Sequence, residues 1–111
     1  MSVKEKRPWG EFLQFCLNNK ATVKILKIEA NQELSLQKHK KREELWYFLD
    51  PGFLEIDGAK KKVKAETEVI IKKNQSHRAF ATKKPTRILE ISFGTFDEAD
   101  EIRLEDKYGR C

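Results

Sequence analysis

The chain has 111 residues, which allows one hydrophobic core and predicts a single domain over residues 1–111. Charged residues make up 37% and the net charge is +5, but acidic residues interrupt the lysine clusters and no nucleic-acid-binding motif accompanies them. We therefore expect no nucleic-acid partner. No apolar run approaches a membrane span and the first ten residues do not resemble a signal peptide, so we also expect no membrane partner and a cytoplasmic location.

Read from the N-terminus, the sequence predicts about eight or more short strands. Alternating or apolar segments separated by turn residues carry this prediction, and Asp57-Gly58 is typical of a tight hairpin. The predicted strands cover residues 10–16, 22–28, 34–36, 45–49, 53–56, 61–63, 69–71, 77–81 and 87–93. Residues 96–108 are expected to form a short helix or an extended tail. Regular short strands of this kind favour an all-β sandwich or barrel.

Two segments carry the residues best suited to bind a metal ion. Gln37, His39 and Glu44 follow the spacing Gln-x-His-x4-Glu, and His77 comes 33 residues after Glu44. Residues two apart on a strand share a face, so Gln37 and His39 can point at one place, while a turn has to return Glu44 to it. An amide oxygen, a carboxylate and two imidazoles suit a borderline divalent cation.

Three motifs, in this order, resemble the type II phosphomannose isomerase domain of the cupin superfamily. They are RPWGEF at residues 7–12, LSLQ-x-H-x-x-R-x-E-x-W at residues 34–46, and EDKYGR at residues 105–110. In larger proteins this domain is the C-terminal part of bifunctional mannose-1-phosphate guanylyltransferases. The resemblance implies an all-β fold, the cupin double-stranded β-helix or jelly roll, with a short C-terminal helix as an option. It also implies isomerisation between mannose 6-phosphate and fructose 6-phosphate.

The same resemblance implies the site. Gln37, His39, Glu44 and His77 are the expected ligands of a divalent ion (Zn, Mn, Co, Ni or Fe), and the family pattern selects Glu44 over the adjacent Glu43. Arg110 and Arg103 of the tail are the expected catalytic arginines. Arg42, Lys41 and Lys107 are the candidates for binding the phosphorylated sugar, since arginine binds phosphate through a planar fork.

Glu90 is a third catalytic candidate, for the general base, and its orientation is open. Ile88, Glu90 and Ser92 share one face of a strand, and either face can be the interior. A carboxylate inside the barrel is costly unless it is paired or functional, whereas one facing solvent has no special role.

The chain departs from the family pattern at a few positions. Asn31 and Asn74 replace glycines before the two motifs, and Asn is the non-glycine residue that best tolerates a left-handed backbone. Lys40, Lys41 and Leu45 stand where relatives carry histidines. These changes leave open a metal-binding cupin that binds or senses a sugar phosphate without turnover, or another cupin sugar isomerase, epimerase or dioxygenase. A homodimer is also expected, because a chain this short gains burial by pairing.

Overall fold

The computed structural model describes residues 2–109, apart from the side chain of Glu98, and consists of eleven strands in three antiparallel sheets. The all-β prediction is confirmed. The strands are β1 Val3–Arg7, β2 Gly10–Gln14, β3 Ala21–Ile28, β4 Leu36–His39, β5 Glu44–Phe48, β6 Gly52–Ile56, β7 Ala59–Val63, β8 Thr67–Ile71, β9 His77–Phe80, β10 Thr86–Phe93 and β11 Glu101–Glu105.

Two of the sheets face each other across one core. The first has the order β3-β10-β5-β8 and the second the order β11-β4-β9-β6-β7, while β1 and β2 form a separate hairpin. Alternate side chains of both sheets point inward because the strand period is two. The buried apolar cluster comprises Ile28, Trp46, Phe48, Leu54, Val63, Val69, Ile71, Ala79, Ala81 and Ile88.

Two strands were missed from the sequence. β1 is a charged, exposed strand that lacks apolar alternation, and it is a strand because it pairs with β2 over its whole length. The tail holds a three-residue 3₁₀ turn, Glu98–Asp100, followed by β11, which pairs with β4. Among residues 2–109, no helix is long and apolar enough to cross a bilayer.

The asparagine turns behave as the sequence predicted. Asn31 and Asn74 adopt φ values of 63° and 62°, the left-handed region that favours glycine and that asparagine tolerates best. Asp57 and Gly58 also have positive φ and connect β6 to β7, as a tight hairpin requires. The turns before the two metal-binding segments therefore keep a left-handed backbone residue although asparagine replaces glycine.

Close packing at the start of β6 gives a test of the fold. A Cβ atom on Gly52 would lie 2.6 Å from Cγ2 and 2.9 Å from Oγ1 of Thr86, which is buried and donates a hydrogen bond to the Pro51 carbonyl. We expect Gly52→Ala to lower the free energy of unfolding by about 1–3 kcal/mol, measured by urea denaturation. In a Thr86→Ala background the same change should cost less, and equal costs in both backgrounds would contradict this packing.

Candidate metal centre

Two turns that cross from one sheet to the other bring the predicted donors to the same end of the barrel. The first turn leads from His39, the last residue of β4, to Glu44, the first residue of β5 in the facing sheet. The second leads from β8 to His77, the first residue of β9. The Asn74 N–H donates to the carbonyl oxygen of His39 at 2.7 Å, so one turn fixes the other.

His39, Glu44 and His77 converge in the interior. Their exposed fractions are 3%, 1% and 0%, and one donor atom from each lies within 4.8 Å of the others. Oε1 of Glu44 is 3.9 Å from Nδ1 of His39 and 3.8 Å from Nε2 of His77. Neither of these ring nitrogens has a hydrogen-bond partner among the described residues. Ligands about 2.1 Å from one ion are roughly 3–3.5 Å apart, so this donor set fits a divalent ion after a small contraction.

The carboxylate of Glu44 is held from several sides. Oε1 accepts a hydrogen bond from Nε1 of Trp46 at 3.1 Å. Oε2 accepts one from Nε of Arg42 and one from Oγ of Ser92, each at 2.9 Å. A buried carboxylate is expensive without such donors, and these bonds also fix which oxygen faces the two histidines.

Burial keeps both imidazoles neutral. Desolvation lowers the pKa of His39 to about 4, with the positive charge of Arg42 acting in the same direction and the negative charge of Glu44 opposing it. Desolvation also lowers the pKa of His77. The neutral ring is the form that binds a metal ion. In His77, Nδ1 donates to the Gln75 carbonyl oxygen at 2.9 Å, which leaves the Nε2 lone pair directed at the site.

His39 has the other arrangement, because Arg42 contacts its outer nitrogen. Nη2 of Arg42 lies 2.9 Å from Nε2 of His39. A guanidinium can only donate, so Nε2 accepts and the ring hydrogen is on Nδ1. Binding an ion through Nδ1 therefore requires the hydrogen to move to Nε2 and Arg42 to withdraw. Oε1 of Glu101 lies 3.9 Å from Nε2 and can then accept that hydrogen.

The pairing of β4 places Gln37 and Arg103 beside these residues. Gln37 is directly opposite His77 on β9 and Arg103 on β11, so all three side chains project from the same face of the sheet. Nε2 of Gln37 donates to Oγ of Ser35 at 3.3 Å, which leaves the amide oxygen available for a cation. Nη2 of Arg103 lies 2.9 Å from Oε2 of Glu101. The roles assigned to Gln37 and Arg103 stay predictions.

The remaining predicted residues lie in different places. Arg42 is buried inside the site, whereas the Lys41 side chain is exposed and its backbone N–H donates to Asp100. Lys107 is beyond the other end of β4, where Nζ donates to the Asn31 carbonyl oxygen at 3.1 Å. Arg110 lies outside the described residues, so its catalytic role stays a prediction. Glu43 is exposed, and Glu44 is the acidic residue that points inward.

Glu90 faces the interior, which resolves the orientation left open by the sequence. It is 8% exposed and shares the inward face of β10 with Ile88 of the core and with Ser92, which bonds Glu44. Desolvation raises the pKa of Glu90 to about 7, and the negative charge of Glu44 adds to the rise. A carboxyl group that titrates near neutrality can accept or release a proton at physiological pH.

Sequence reasoning missed Asp100, which supports the site from outside. Its carboxylate accepts hydrogen bonds from the backbone N–H groups of Lys40 and Lys41, at 3.0 Å each. These bonds lower the pKa of Asp100 against the opposing effect of desolvation. They also fix the turn that follows His39. In the sequence, residues 97–101 are recognisable only as an acidic stretch. No pattern in the neighbouring residues connects them to the turn after His39, about sixty positions earlier.

Comparison with known proteins identifies the family. Residues 1–106 match the family model described as Mannose-6-phosphate isomerase C-terminal. The chain belongs to this family. It is 29% identical to the xanthan biosynthesis protein XanB of Xanthomonas campestris, over 94% of this chain and 23% of that protein. It is 28% identical to mannose-1-phosphate guanylyltransferase ManC of Salmonella typhimurium, over 94% of this chain and 22% of that protein. The chain thus spans about a quarter of these relatives.

Solved structures confirm the cupin fold. A cupin protein from Bacteroides fragilis superposes with a TM-score of 0.62 at 27% identity, over 73% of this chain and 72% of that one. A double-stranded β-helix protein from Klebsiella pneumoniae gives a TM-score of 0.69 at 18% identity, over 83% and 81%. The predicted double-stranded β-helix is therefore correct.

The environment of Glu90 predicts how the stability of the metal-free protein depends on pH. The folded pKa, about 7, is above the value of 4.5 for a free glutamate, so the folded state binds more protons between these pH values and loses stability as pH rises through them. Glu90→Gln should remove this loss. Relative to wild type, it should gain up to roughly 3 kcal/mol between pH 5 and pH 8 in urea titrations with chelator present. A difference that does not change with pH would contradict the raised pKa.

Proposed function

We propose that this domain is a metal-dependent mannose-6-phosphate isomerase, which interconverts mannose 6-phosphate and fructose 6-phosphate through an enediol(ate). The convergence of His39, Glu44 and His77, with two ring nitrogens directed at one carboxylate oxygen, is the observation that carries this proposal. The family provides the reaction.

His39, Glu44 and His77 would hold the ion, with the amide oxygen of Gln37 as the fourth donor. The chemistry that such an ion would supply is polarisation of the sugar's carbonyl and hydroxyl oxygens, which would stabilise developing negative charge. Nitrogen and carboxylate ligands together suit Zn, Mn, Co, Ni or Fe. The hydrogen bonds from Arg42, Trp46 and Ser92 hold Glu44 in the orientation that such a site needs.

Glu90 is the proposed base. Isomerisation moves one proton between C2 and C1 of the sugar and a second between the oxygens O2 and O1. The carboxylate of Glu90 accepts the C2 proton and returns it to C1. Its inward position beside the Glu44 network and its pKa of about 7 suit a group that has to be ionised before the first step and protonated before the second. The pairing of Arg103 with Gln37 supports the proposal that Arg103 contacts the sugar oxygens, and the catalytic role of Arg110 stays a prediction.

A second candidate function is metal and sugar-phosphate binding without turnover. The near-complete burial of the three donors favours it, because a substrate has to reach atoms that solvent barely contacts. The replacement of family histidines at Lys40, Lys41 and Leu45 also changes the groups available for contacts with the metal ligands or the substrate. A direct assay of turnover separates this possibility from the isomerase.

A homodimer is a further proposal, and β3 supports it. This strand is an edge of its sheet, and its outward residues Val23 and Ile25 are 57% and 63% exposed. An exposed apolar edge strand is a template for pairing with another chain. The edge strand β7, by contrast, carries three consecutive lysines, Lys60–Lys62, which discourage such pairing.

The metal site predicts a loss of metal affinity in two variants. His77→Ala removes a direct ligand and Glu44→Gln removes the negative charge of another, so the loss in each should exceed the ten- to hundredfold cost of removing an outer partner. Metal content after dialysis, and affinity from competition with a chelator, give the measurement. Glu43→Gln is the matched control, because the adjacent carboxylate is exposed. Unchanged metal affinity in both ligand variants would show that the site is assigned wrongly.

The isomerase proposal predicts turnover of mannose 6-phosphate that depends on Glu90. Metal-loaded wild type should form fructose 6-phosphate in a coupled assay. Its activity should rise with pH as Glu90 ionises, at a pH below the metal-free pKa of about 7 because the positive charge of the ion favours the carboxylate. Glu90→Gln should lower kcat by about 10²–10⁴-fold with little change in metal content. Tight sugar-phosphate binding by wild type without isomerisation would favour the second candidate function.

The dimer prediction is tested by light scattering. At micromolar concentration the mass should be twice the 13.1 kDa of one chain. Ile25→Glu should reduce the mass to that of a monomer, since a charge would then be buried at the interface. Lys27→Glu on the same strand and face, nearer its end, tests whether any acidic residue has this effect. A wild-type mass of 13.1 kDa would exclude the dimer under these conditions.

A further inference from the structure

Lys24 of β3 was not among the site residues predicted from the sequence. Lys24 is two residues from Leu26 and four from Ile28, both of which pack in or against the core, so Lys24 is on the same face of β3 as these two residues, although its own side chain is exposed. It pairs directly with Glu90 on β10. Its positive charge lowers the pKa of Glu90, against the larger effect of desolvation, so the two groups interact.

Lys24 and Arg42 meet at one aromatic ring. Nζ of Lys24 is 4.2 Å and Cζ of Arg42 is 4.5 Å from the centre of the Phe96 ring. The loop that carries Phe96 is fixed on both sides of the ring. The Gly94 N–H donates to the Lys20 carbonyl oxygen at 2.9 Å, and Nη1 of Arg42 donates to the Asp97 carbonyl oxygen at 3.2 Å. Two cations, one from β3 and one from the turn between β4 and β5, therefore converge beside Glu44 and Glu90.

We propose that Lys24 and Arg42 together bind the phosphate group of the substrate. The inference rests on the proposed function for the identity of the sugar, but the anion site itself depends only on these two cations. A bidentate guanidinium and an ammonium group are a favourable pair for a phosphate, whose charge-assisted hydrogen bonds are stronger than contacts with the face of a phenyl ring. The phosphate thus displaces Phe96 from both cations.

The distance along the sheet from Glu44 to Lys24 agrees with the length of a hexose phosphate. Ser92 contacts Glu44, and Glu90, two residues away along β10, is about 7 Å further. Lys24 lies across from Glu90 on the next strand. A hexose whose reacting C1 and C2 atoms lie near Glu44 carries its phosphate four carbons away, in the direction of Lys24. The same displacement would move Arg42 off Nε2 of His39, which the metal-binding tautomer requires.

Lys24→Gln tests the proposal, with Lys27→Gln as the matched control. Lys27 is on the same strand, but its side chain is on the outer face and forms only a surface ion pair with Glu29, at 3.7 Å. Calorimetry on the metal-loaded protein at low salt would measure binding of inorganic phosphate, mannose 6-phosphate and unphosphorylated mannose. Lys24→Gln should weaken both phosphate-containing ligands about ten- to a hundredfold and leave mannose and metal content unchanged. Lys27→Gln should bind all three as wild type does.

The outcomes separate this inference from the isomerase proposal. If Lys24→Gln binds both phosphate ligands within about twofold of wild type, or if wild type binds neither, the anion site is overturned. If phosphate binding depends on Lys24 while wild type shows no isomerisation, the anion site stands and the isomerase proposal fails. If wild type isomerises mannose 6-phosphate and Lys24→Gln has an unchanged KM, the isomerase stands and this assignment fails.

Discussion

The carboxylate of Glu44, buried between the two sheets, is the constraint on which the rest of the site depends. An ionised carboxylate in the interior is unfavourable unless donors surround it, and here Arg42, Trp46 and Ser92 supply three hydrogen bonds. Ser92 comes from the neighbouring strand, and His39 and His77 face the same group from the opposite sheet. The compensation of one charge thus connects both layers of the barrel.

The two turns that cross between the sheets bring His39, Glu44 and His77 together. Each turn carries the chain from one sheet to the other at the same end of the barrel, and the hydrogen bond from Asn74 to His39 joins them. Asp100 fixes the first turn from the tail by accepting from Lys40 and Lys41. The turns that carry the donors are therefore fixed through their backbone N–H groups, with a backbone carbonyl and the Asp100 carboxylate as acceptors.

Positively and negatively charged side chains lie next to one another around the proposed metal and phosphate sites. Arg42 contacts both Glu44 and His39 and is shared with Phe96, so a single guanidinium belongs to the metal centre and to the proposed phosphate site. Glu90 is between Glu44, which raises its pKa, and Lys24, which lowers it. Binding of a cation at one end and a phosphate at the other would change the field at Glu90 from both sides.

The sequence by itself determined most strands and the left-handed asparagine turns, and together with the family resemblance it singled out Gln37, His39, Glu44 and His77 as candidate metal ligands. Local information suffices for these features, because strand period, turn chemistry and motif spacing are properties of neighbouring residues. Only the tertiary structure decided that β1 and β11 are strands, that Glu90 faces inward, and that Asp100, Lys24 and Phe96 lie beside the donors. A period of two defines two faces without saying which is buried, and pairing between distant strands leaves no local pattern. Those choices depend on how the two sheets close over one core.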